Sequence, residues 1–365
     1  MRRFVPALAV LLAAGGAWAQ NRLPLGEVRL PPGFTISVYA SGLNGARELA
    51  FSDSGALFVG SWNGQVYAVP PGGGIGRVIA DGLDMPVGVA WHRGDLYVSS
   101  INRVVKLTAV ETGPRRRKSG LPPRPVDIID TLPRDRHHGW KFIKVGPDGK
   151  LYVPVGAPCN VCESQDERYA SILRMDLDGR NLEIFARGVR NTVGFDWDPR
   201  TGELWFTDNG RDLLGDDLPP DELDRAPRAG LHFGFPYLHG RAVHDPRFWA
   251  SRPAVDFRPP ELELPAHVAA LGMRFYTGRL FPVEYRGGIF IAEHGSWNRS
   301  QKIGYRVSFV RLEGGRAAEY RVFAQGWLQG ERAWGRPADV EVGPDGALYV
   351  SDDEADVVYR IGYGR

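Results

Sequence analysis

The chain has 365 residues, 43% hydrophobic, 11% aromatic and 24% charged, which is enough apolar side chain for a full core and too much for a disordered or fibrous protein. Lys and Arg number 45 against 43 Asp and Glu, a formal net charge of +2, so there is no broad basic face and nucleic-acid binding is excluded as the main function. The 46 Gly and 28 Pro are spread along the chain, which disfavours long helices and predicts frequent tight turns in an all-β protein.

Met1-Arg2-Arg3 is a basic start, 4–14 is apolar, and Ala17-Trp18-Ala19 is a small-x-small cleavage site before Gln20. This reads as a signal peptide over 1–19, with an N-terminal extension over 20–29. The apolar stretch is too short for a comfortable membrane span and no lipid-carrying cysteine follows it. The mature protein is expected to be periplasmic or secreted, with no membrane span.

From residue 48 one pattern recurs: an alternating apolar strand, a glycine-containing turn, then Leu or Ile followed by an aromatic and another apolar residue. The first three copies are 48–51 with Leu57-Phe58-Val59, 87–91 with Leu96-Tyr97-Val98, and 141–145 with Leu151-Tyr152-Val153. The second three are 193–197 with Leu204-Trp205-Phe206, 273–276 with Ile289-Phe290-Ile291, and 338–342 with Leu348-Tyr349-Val350. Third and fourth strands follow most copies, as in 65–69 and 77–80. Such a small sheet cannot bury both faces alone, so six of them predict a six-bladed β-propeller of four-stranded antiparallel blades, one domain over 30–365. Residues 34–40 have no local partner and are expected to close the ring as the outer strand of the last blade. The Pro-rich stretch 216–265 carries no seventh hairpin signal; it reads as an insertion, bounded at about 212–268, that shapes the pocket.

In every copy the glycine turn lies at one end of the hairpin. The loops before the first strand and after the second therefore share the other end, around the mouth of the central channel, where a ligand pocket is expected. That mouth receives Arg47, His137, His138, Arg190, Asn191 and Arg336 from one loop class, and Trp62, Asn63, 208–212 and 294–299 from the other. Several arginines on one axis repel one another unless acidic neighbours or an anionic ligand compensate, which points to a polycarboxylate or phosphate. His138 is the candidate general base, with His137 competing for the role. Asp208-Asn209-Gly210-Arg211-Asp212 is oxygen-rich and bent at glycine; it is either a solvated acidic loop or a Ca²⁺ site. Cys159 and Cys162 are the only cysteines and are expected to form a loop-stiffening disulfide. Glu163 follows them rather than His, which excludes c-type haem attachment. Gly72-Gly73-Gly74-Ile75-Gly76 has no helix to present a phosphate site, and His294-Gly295-Ser296-Trp297-Asn298 lacks the glycines of a nucleophile elbow.

Seven motifs, in order over about 30–365, resemble the PQQ-dependent sugar dehydrogenases, and most of all their sorbosone and pyranose dehydrogenase branch. They are His137-His138-Gly139-Trp140-Lys141, Gly146-Pro147-Asp148-Gly149, Cys159-Asn160-Val161-Cys162-Glu163, Gly188-Val189-Arg190-Asn191, the stretch 214–222, His294-Gly295-Ser296-Trp297-Asn298-Arg299, and Gly335-Arg336-Pro337-Ala338-Asp339-Val340. The family's catalytic histidine stands eight residues before the turn's first glycine, and counting back from Gly146 reaches His138. The resemblance implies that His138 takes the hydroxyl proton of an aldose or related sugar aldehyde while hydride passes to PQQ. It implies that Arg190, Asn191 and Arg336 bind PQQ, that the carbonyls of Gly210 and Arg211 hold Ca²⁺, and that an external acceptor takes the electrons. His294 or Arg299 stands where the glucose dehydrogenase branch has a cofactor lysine, and Arg47 joins them as a cofactor-binding candidate. That branch also has an acidic residue at the place of His137 and an arginine at that of Lys141, which puts glucose itself in doubt. The competing functions are a calcium-dependent lactonase-type propeller hydrolase and a non-catalytic binding propeller.

Overall fold

The computed structural model describes residues 23–108, 110 and 124–364. The expected signal peptide over 1–19 lies outside the described residues.

Six antiparallel sheets follow one another along the chain, and no α-helix occurs among the described residues. Blade 1 pairs Ala46–Phe51, Leu57–Ser61, Val66–Val69 and Arg77–Ala80. Blade 2 pairs Val89–His92, Asp95–Ser99, Val104–Thr108 and Val126–Ile129. Blade 3 is Lys144–Val145, Leu151–Val155, Ser171–Met175 and Glu183–Arg187, with Leu231–His232 added in parallel at its edge. Blade 5 is Ala270–Phe275, Ile289–Glu293, Arg306–Glu313 and Arg316–Gln325. The second strands show why the repeat reads as a run of apolar residues. Leu57–Ser61, Leu151–Val155, Leu204–Asp208, Ile289–Glu293 and Leu348–Asp352 are buried at every position, because neighbouring blades cover both faces.

Blade 6 is Pro337–Val342, Leu348–Asp352 and Val357–Tyr363, completed by Phe34–Ser41. Ile36 lies opposite Ile361, so the first strand of the chain closes the ring from the last blade. The Phe34 ring meets Phe281 and Phe323 edge-on at 4.7 and 5.0 Å, anchoring that strand in the core between blades 5 and 6.

Blade 4 narrows the expected insertion. Its inner strands are Phe195–Trp197 and Leu204–Asp208, and its outer two, Asp221–Ala226 and Leu262–Leu264, both lie within 216–265. The excursion proper is 227–261, which carries a two-stranded hairpin of Leu238–His239 and Val243–His244. Asp221–Ala226 reads Asp-Glu-Leu-Asp-Arg-Ala, a buried strand without apolar alternation, and so carries no hairpin signal.

The inner strands crowd the axis: a Cβ on Gly272 would overlap the Asp339 carboxylate. There a buried ion network joins all six blades. Arg274 of blade 5 donates from Nε to Glu341 of blade 6 at 2.8 Å and from Nη1 to the Phe195 carbonyl of blade 4 at 3.3 Å. Its Nη2 lies 3.7 Å from both Glu48 of blade 1 and Asp339 of blade 6. Glu48 in turn accepts from Val89 N of blade 2 at 2.8 Å and from Ile143 N, beside blade 3, at 2.9 Å. Burial raises the Glu48 carboxyl well above its ordinary range and Asp339 to about 6, while Arg274 pulls both back. Arg274→Met leaves these carboxyls buried without a cation and is expected to cost about 3–5 kcal/mol of stability, read as a fall in the urea midpoint. A midpoint within experimental error of the wild type would show that the network does not hold the ring.

Candidate active site

At the mouth of the channel the strand-end loops enclose a cavity of about 410 Å³. The loops before first strands bring Arg47, His138, Trp140, Arg190, Asn191 and Arg336, and those after second strands bring Trp62, Asn209, Gly210, Asp212, 294–298 and Asp353.

His138 sits in left-handed backbone, φ 50°, which a non-glycine residue holds only when its surroundings impose it. Gly156 makes the room: a Cβ there would lie 2.5 Å from His138 Cβ and 3.2 Å from Asn191 Oδ1. His138 Nδ1 is 2.9 Å from the Ala157 carbonyl, which can only accept, so Nδ1 carries the proton and Nε2 keeps its lone pair. Burial, then the charge of Arg190, then His137 lower its pKa to about 2. The ring is therefore a neutral imidazole. His137 packs its ring 4.1 Å from His138 but is exposed and does not line the cavity.

The arginines differ in what the protein already asks of them. Arg190 gives Nε to the Asn160 carbonyl at 2.9 Å, Nη1 to the Asn209 carbonyl at 3.0 Å, and Nη2 to Asn160 Oδ1 at 3.0 Å and Asp212 Oδ2 at 3.3 Å. Four of its five N–H bonds are thus engaged. Arg47 pairs with Asp353 at 2.6 Å and lies 4.1 Å over the Trp62 ring, leaving its buried Nε without a partner. The Arg336 backbone N–H donates to Asp352 Oδ1 at 2.8 Å, but its guanidinium donates only to the His294 and Gly295 carbonyls, at 3.2 and 3.0 Å, and pairs with no carboxylate among the described residues. The mutual repulsion expected of the three is relieved by Asp353 and Asp212 for two of them, and Arg336 remains the uncompensated cation.

Asp353 organises this wall. It accepts from Arg47, from Trp62 Nε1 at 2.7 Å and from His294 Nε2 at 2.8 Å. Burial opposes its charge, yet Arg47 and His294 hold its pKa well below the ordinary carboxylate range. His294 is itself lowered to about 4, chiefly by burial, and is a neutral donor to Asp353.

Gly210 lines the cavity and donates its N–H to Asp221 at 2.9 Å; a Cβ there would lie 2.6 Å from the Pro220 carbonyl. The neighbouring carbonyls of Asn209 and Asp212 are taken, by Arg190 and by Asn160. Those of Gly210 and Arg211 accept no hydrogen bond among the described residues. Among the described residues no group of three or more His, Cys, Asp or Glu side chains is placed to hold a metal. A cation at this loop would rest on carbonyl oxygens, as hard Ca²⁺ prefers oxygen donors. The Arg211 side chain turns away to Asp245 at 2.6 Å. Arg299 is not on the cavity either: it binds the Asp216 carbonyl and Asp217, tying two loops together. Cys159 and Cys162 are bonded, with Cα atoms 6.2 Å apart. Of the stretch 212–268, Asp212, Asp221 and His267 line the cavity, whereas the excursion 227–261 does not.

Sequence reasoning passed over Asp353, Trp140, Gly156 and Asn160. Asp353 follows the second strand of blade 6, the same position as Trp62 and His294 in theirs, so the loop rule that found those would have found it. Gly156 follows the second strand of blade 3 at that same position, but nothing local marks the role of Asn160, whose partners lie in blade 4.

The family model described as glucose/sorbosone dehydrogenase matches residues 126–360. The chain belongs to that family. An uncharacterized protein of Borreliella burgdorferi is 35% identical over 348 residues, spanning 93% of this chain and 91% of that one. In fold the chain is similar to the PQQ domain of pyranose dehydrogenase from Coprinopsis cinerea in its holo form, with a TM-score of 0.74 and 18% identity over 92% of this chain and 97% of that one. It is also similar to the PQQ-bound aldose sugar dehydrogenase of Streptomyces coelicolor, with a TM-score of 0.67 and 20% identity over 92% and 99%. Among the described residues no helix is long and apolar enough to cross a membrane.

The depressed His138 pKa has a consequence for stability. Between about pH 2 and an unfolded value near 6.5, the unfolded chain binds one proton more at this residue than the folded one. Stability contributed at this position is therefore complete above about pH 6.5 and falls as the pH drops below it. His138→Gln is expected to lose one proton's worth of this slope, read by comparing urea midpoints of the two proteins at pH 7 and pH 5. Equal slopes would mean that folded His138 is charged.

Proposed function

We propose that the protein is a PQQ- and Ca²⁺-dependent dehydrogenase of an aldose or related sugar aldehyde that passes its electrons to an external acceptor. The observation that carries this reading is the neutral His138, with the lone pair of its Nε2 left free beside an arginine-lined cavity. The fit to PQQ, a planar tricarboxylate, is supported by what the wall leaves unsatisfied. Arg47 Nε, Trp140 Nε1 and Asn191 Oδ1 are buried there without hydrogen-bond partners, and Arg336 is an unpaired cation. The free carbonyls of Gly210 and Arg211 suit a calcium ion. When bound, the quinone supplies a two-electron acceptor and the ion a Lewis acid.

The rest follows from this chain's own groups. The Ala157 carbonyl holds the His138 proton on Nδ1, so that Nε2 is the atom that receives the hydroxyl proton of the sugar. Arg336, with three N–H bonds uncommitted, is the principal carboxylate receptor; Arg47 is a second, and Arg190 has one donor left to offer. His294 serves by keeping Asp353, and through it Arg47, in place. Trp62 and Trp140, edge to face at 5.0 Å, line the wall with apolar surface that excludes water. The lactonase-type reading is less supported, because Asp212, Asp221 and Asp353 are already engaged by protein donors. The leader-like residues 1–19 and the bonded cysteines support export to an oxidising compartment.

Purified protein supplied with PQQ, Ca²⁺ and a redox dye is expected to reduce the dye when an aldose is added. His138→Ala should bind PQQ yet reduce it about 10² to 10⁴ times more slowly in a single turnover, while His137→Ala stays near wild type. A slow His137 variant would reverse the assignment, and lactone hydrolysis without PQQ would replace the reading. Arg336→Ala should weaken PQQ binding about tenfold to a hundredfold, or about 1.5–3 kcal/mol, in a fluorescence titration. An unchanged titration would remove Arg336 from the cofactor site.

A further inference from the structure

The cysteine pair encloses one residue that reaches the cavity wall. Asn160 makes four hydrogen bonds, all to the two pieces of chain that carry Arg190 and the Gly210 loop. Its carbonyl accepts Arg190 Nε at 2.9 Å and its Oδ1 accepts Arg190 Nη2 at 3.0 Å. The same Oδ1 accepts Asp212 N at 2.8 Å, and its Nδ2 donates to the Asp212 carbonyl at 3.1 Å. One amide side chain thus binds both backbone groups of Asp212 and one N–H of the Arg190 guanidinium, whose Nε is held by the backbone carbonyl of the same residue.

Such a residue can fix its partners only if it is itself fixed. The disulfide between Cys159 and Cys162 closes a ring around Asn160 and Val161. Val161 is anchored from behind, with its carbonyl accepting Arg247 Nη2 at 2.9 Å and its side chain packed with Ala157 and Phe235. Arg247 belongs to the 227–261 excursion, whose Asp245 also holds Arg211 of the Gly210 loop. Without the Asn160 side chain, Arg190 would lose one of its four acceptors, the Asp212 N–H would lose its acceptor, and the Asp212 carbonyl would keep only Arg211 Nε at 3.1 Å. The loop would then have to be ordered by the ligand, and that ordering is taken out of affinity.

We propose that Asn160, presented by the Cys159–Cys162 ring, is a positioning residue that pre-orders Arg190 and the 209–212 loop for the bound cofactor. It touches neither cofactor nor substrate; it sets the wall that does. The cofactor part of this inference rests on the reading of the cavity as a PQQ site, whereas the pre-ordering of the loop does not.

Two readouts separate them. Hydrogen–deuterium exchange over residues 209–213 in protein without cofactor reports the loop, and quenching of tryptophan fluorescence by added PQQ in the presence of Ca²⁺ reports affinity. Asn160→Ala is expected to speed exchange in 209–213 and to raise the PQQ dissociation constant about tenfold or more, with the melting temperature little changed. Asn160→Asp keeps both acceptor roles and faces Arg190 with a charge, but it sets a carboxylate oxygen against the Asp212 carbonyl in place of the Nδ2 donor, so it should recover part of the affinity. Cys159→Ser with Cys162→Ser should fall between Asn160→Ala and wild type. Should Asn160→Ala fail to fold, the last two variants carry the test.

Wild-type exchange together with wild-type affinity in Asn160→Ala, or in the paired serine variant if the alanine variant does not fold, would overturn the proposal. So would failure of Asn160→Asp to recover any affinity. If wild-type protein binds no PQQ but Asn160→Ala still frees the loop, the positioning role stands and the cofactor reading falls.

Discussion

The propeller depends on how six strands that would otherwise leave a polar hole are tied at their common axis. Arg274, buried and charged, faces Glu48, Asp339 and Glu341 and also takes the carbonyl of Phe195. Glu48 passes the connection to Val89 and Ile143, so two side chains reach every blade. Such a network is costly to desolvate and would not be the most stabilising way to fill the space. What it supplies is direction: each charge is satisfied only when the blades stand in one angular arrangement, whereas apolar side chains would tolerate several.

That rigid ring is what gives the cavity its chemistry. Its side chains arrive from different blades, on loops whose ends are set by buried strands, so their spacing is decided by the ring and not by local chain preference. His138 shows the effect: its left-handed backbone is held between Gly156, which has no side chain, and the Ala157 carbonyl that fixes its tautomer. The imidazole is kept neutral mainly by burial and secondarily by Arg190, so that its Nε2 lone pair stays free without an acidic partner.

The three arginines are not equivalent, although their loop positions are. Two are compensated by Asp212 and Asp353, and the charge left facing the cavity without a carboxylate is that of Arg336. A count of cationic residues at the mouth overstates the field there, because the same loops that carry the arginines carry the acids. The 227–261 excursion belongs to this supporting layer: through Asp245 and Arg247 it braces Arg211 and Val161 and stays off the cavity.

The sequence by itself determined the blades, because each repeats the same local demand: an apolar second strand covered on both faces, a glycine turn and a polar loop at the far end. It also determined which face holds the cavity, since loop class follows from strand order, and the places of His138, Arg190, Asn191 and Arg336 on its wall were legible from that order. Tertiary structure alone decided the rest. Asp221–Ala226 is a blade strand made of charged residues, buried by neighbours rather than by its own pattern, so no periodicity reveals it. Arg299 and the Arg211 side chain stand in promising motifs but are drawn off by Asp217 and Asp245. Asp353 and Asn160 act only through partners in other blades, and a contact between distant parts of the chain leaves no trace in the spacing of either part.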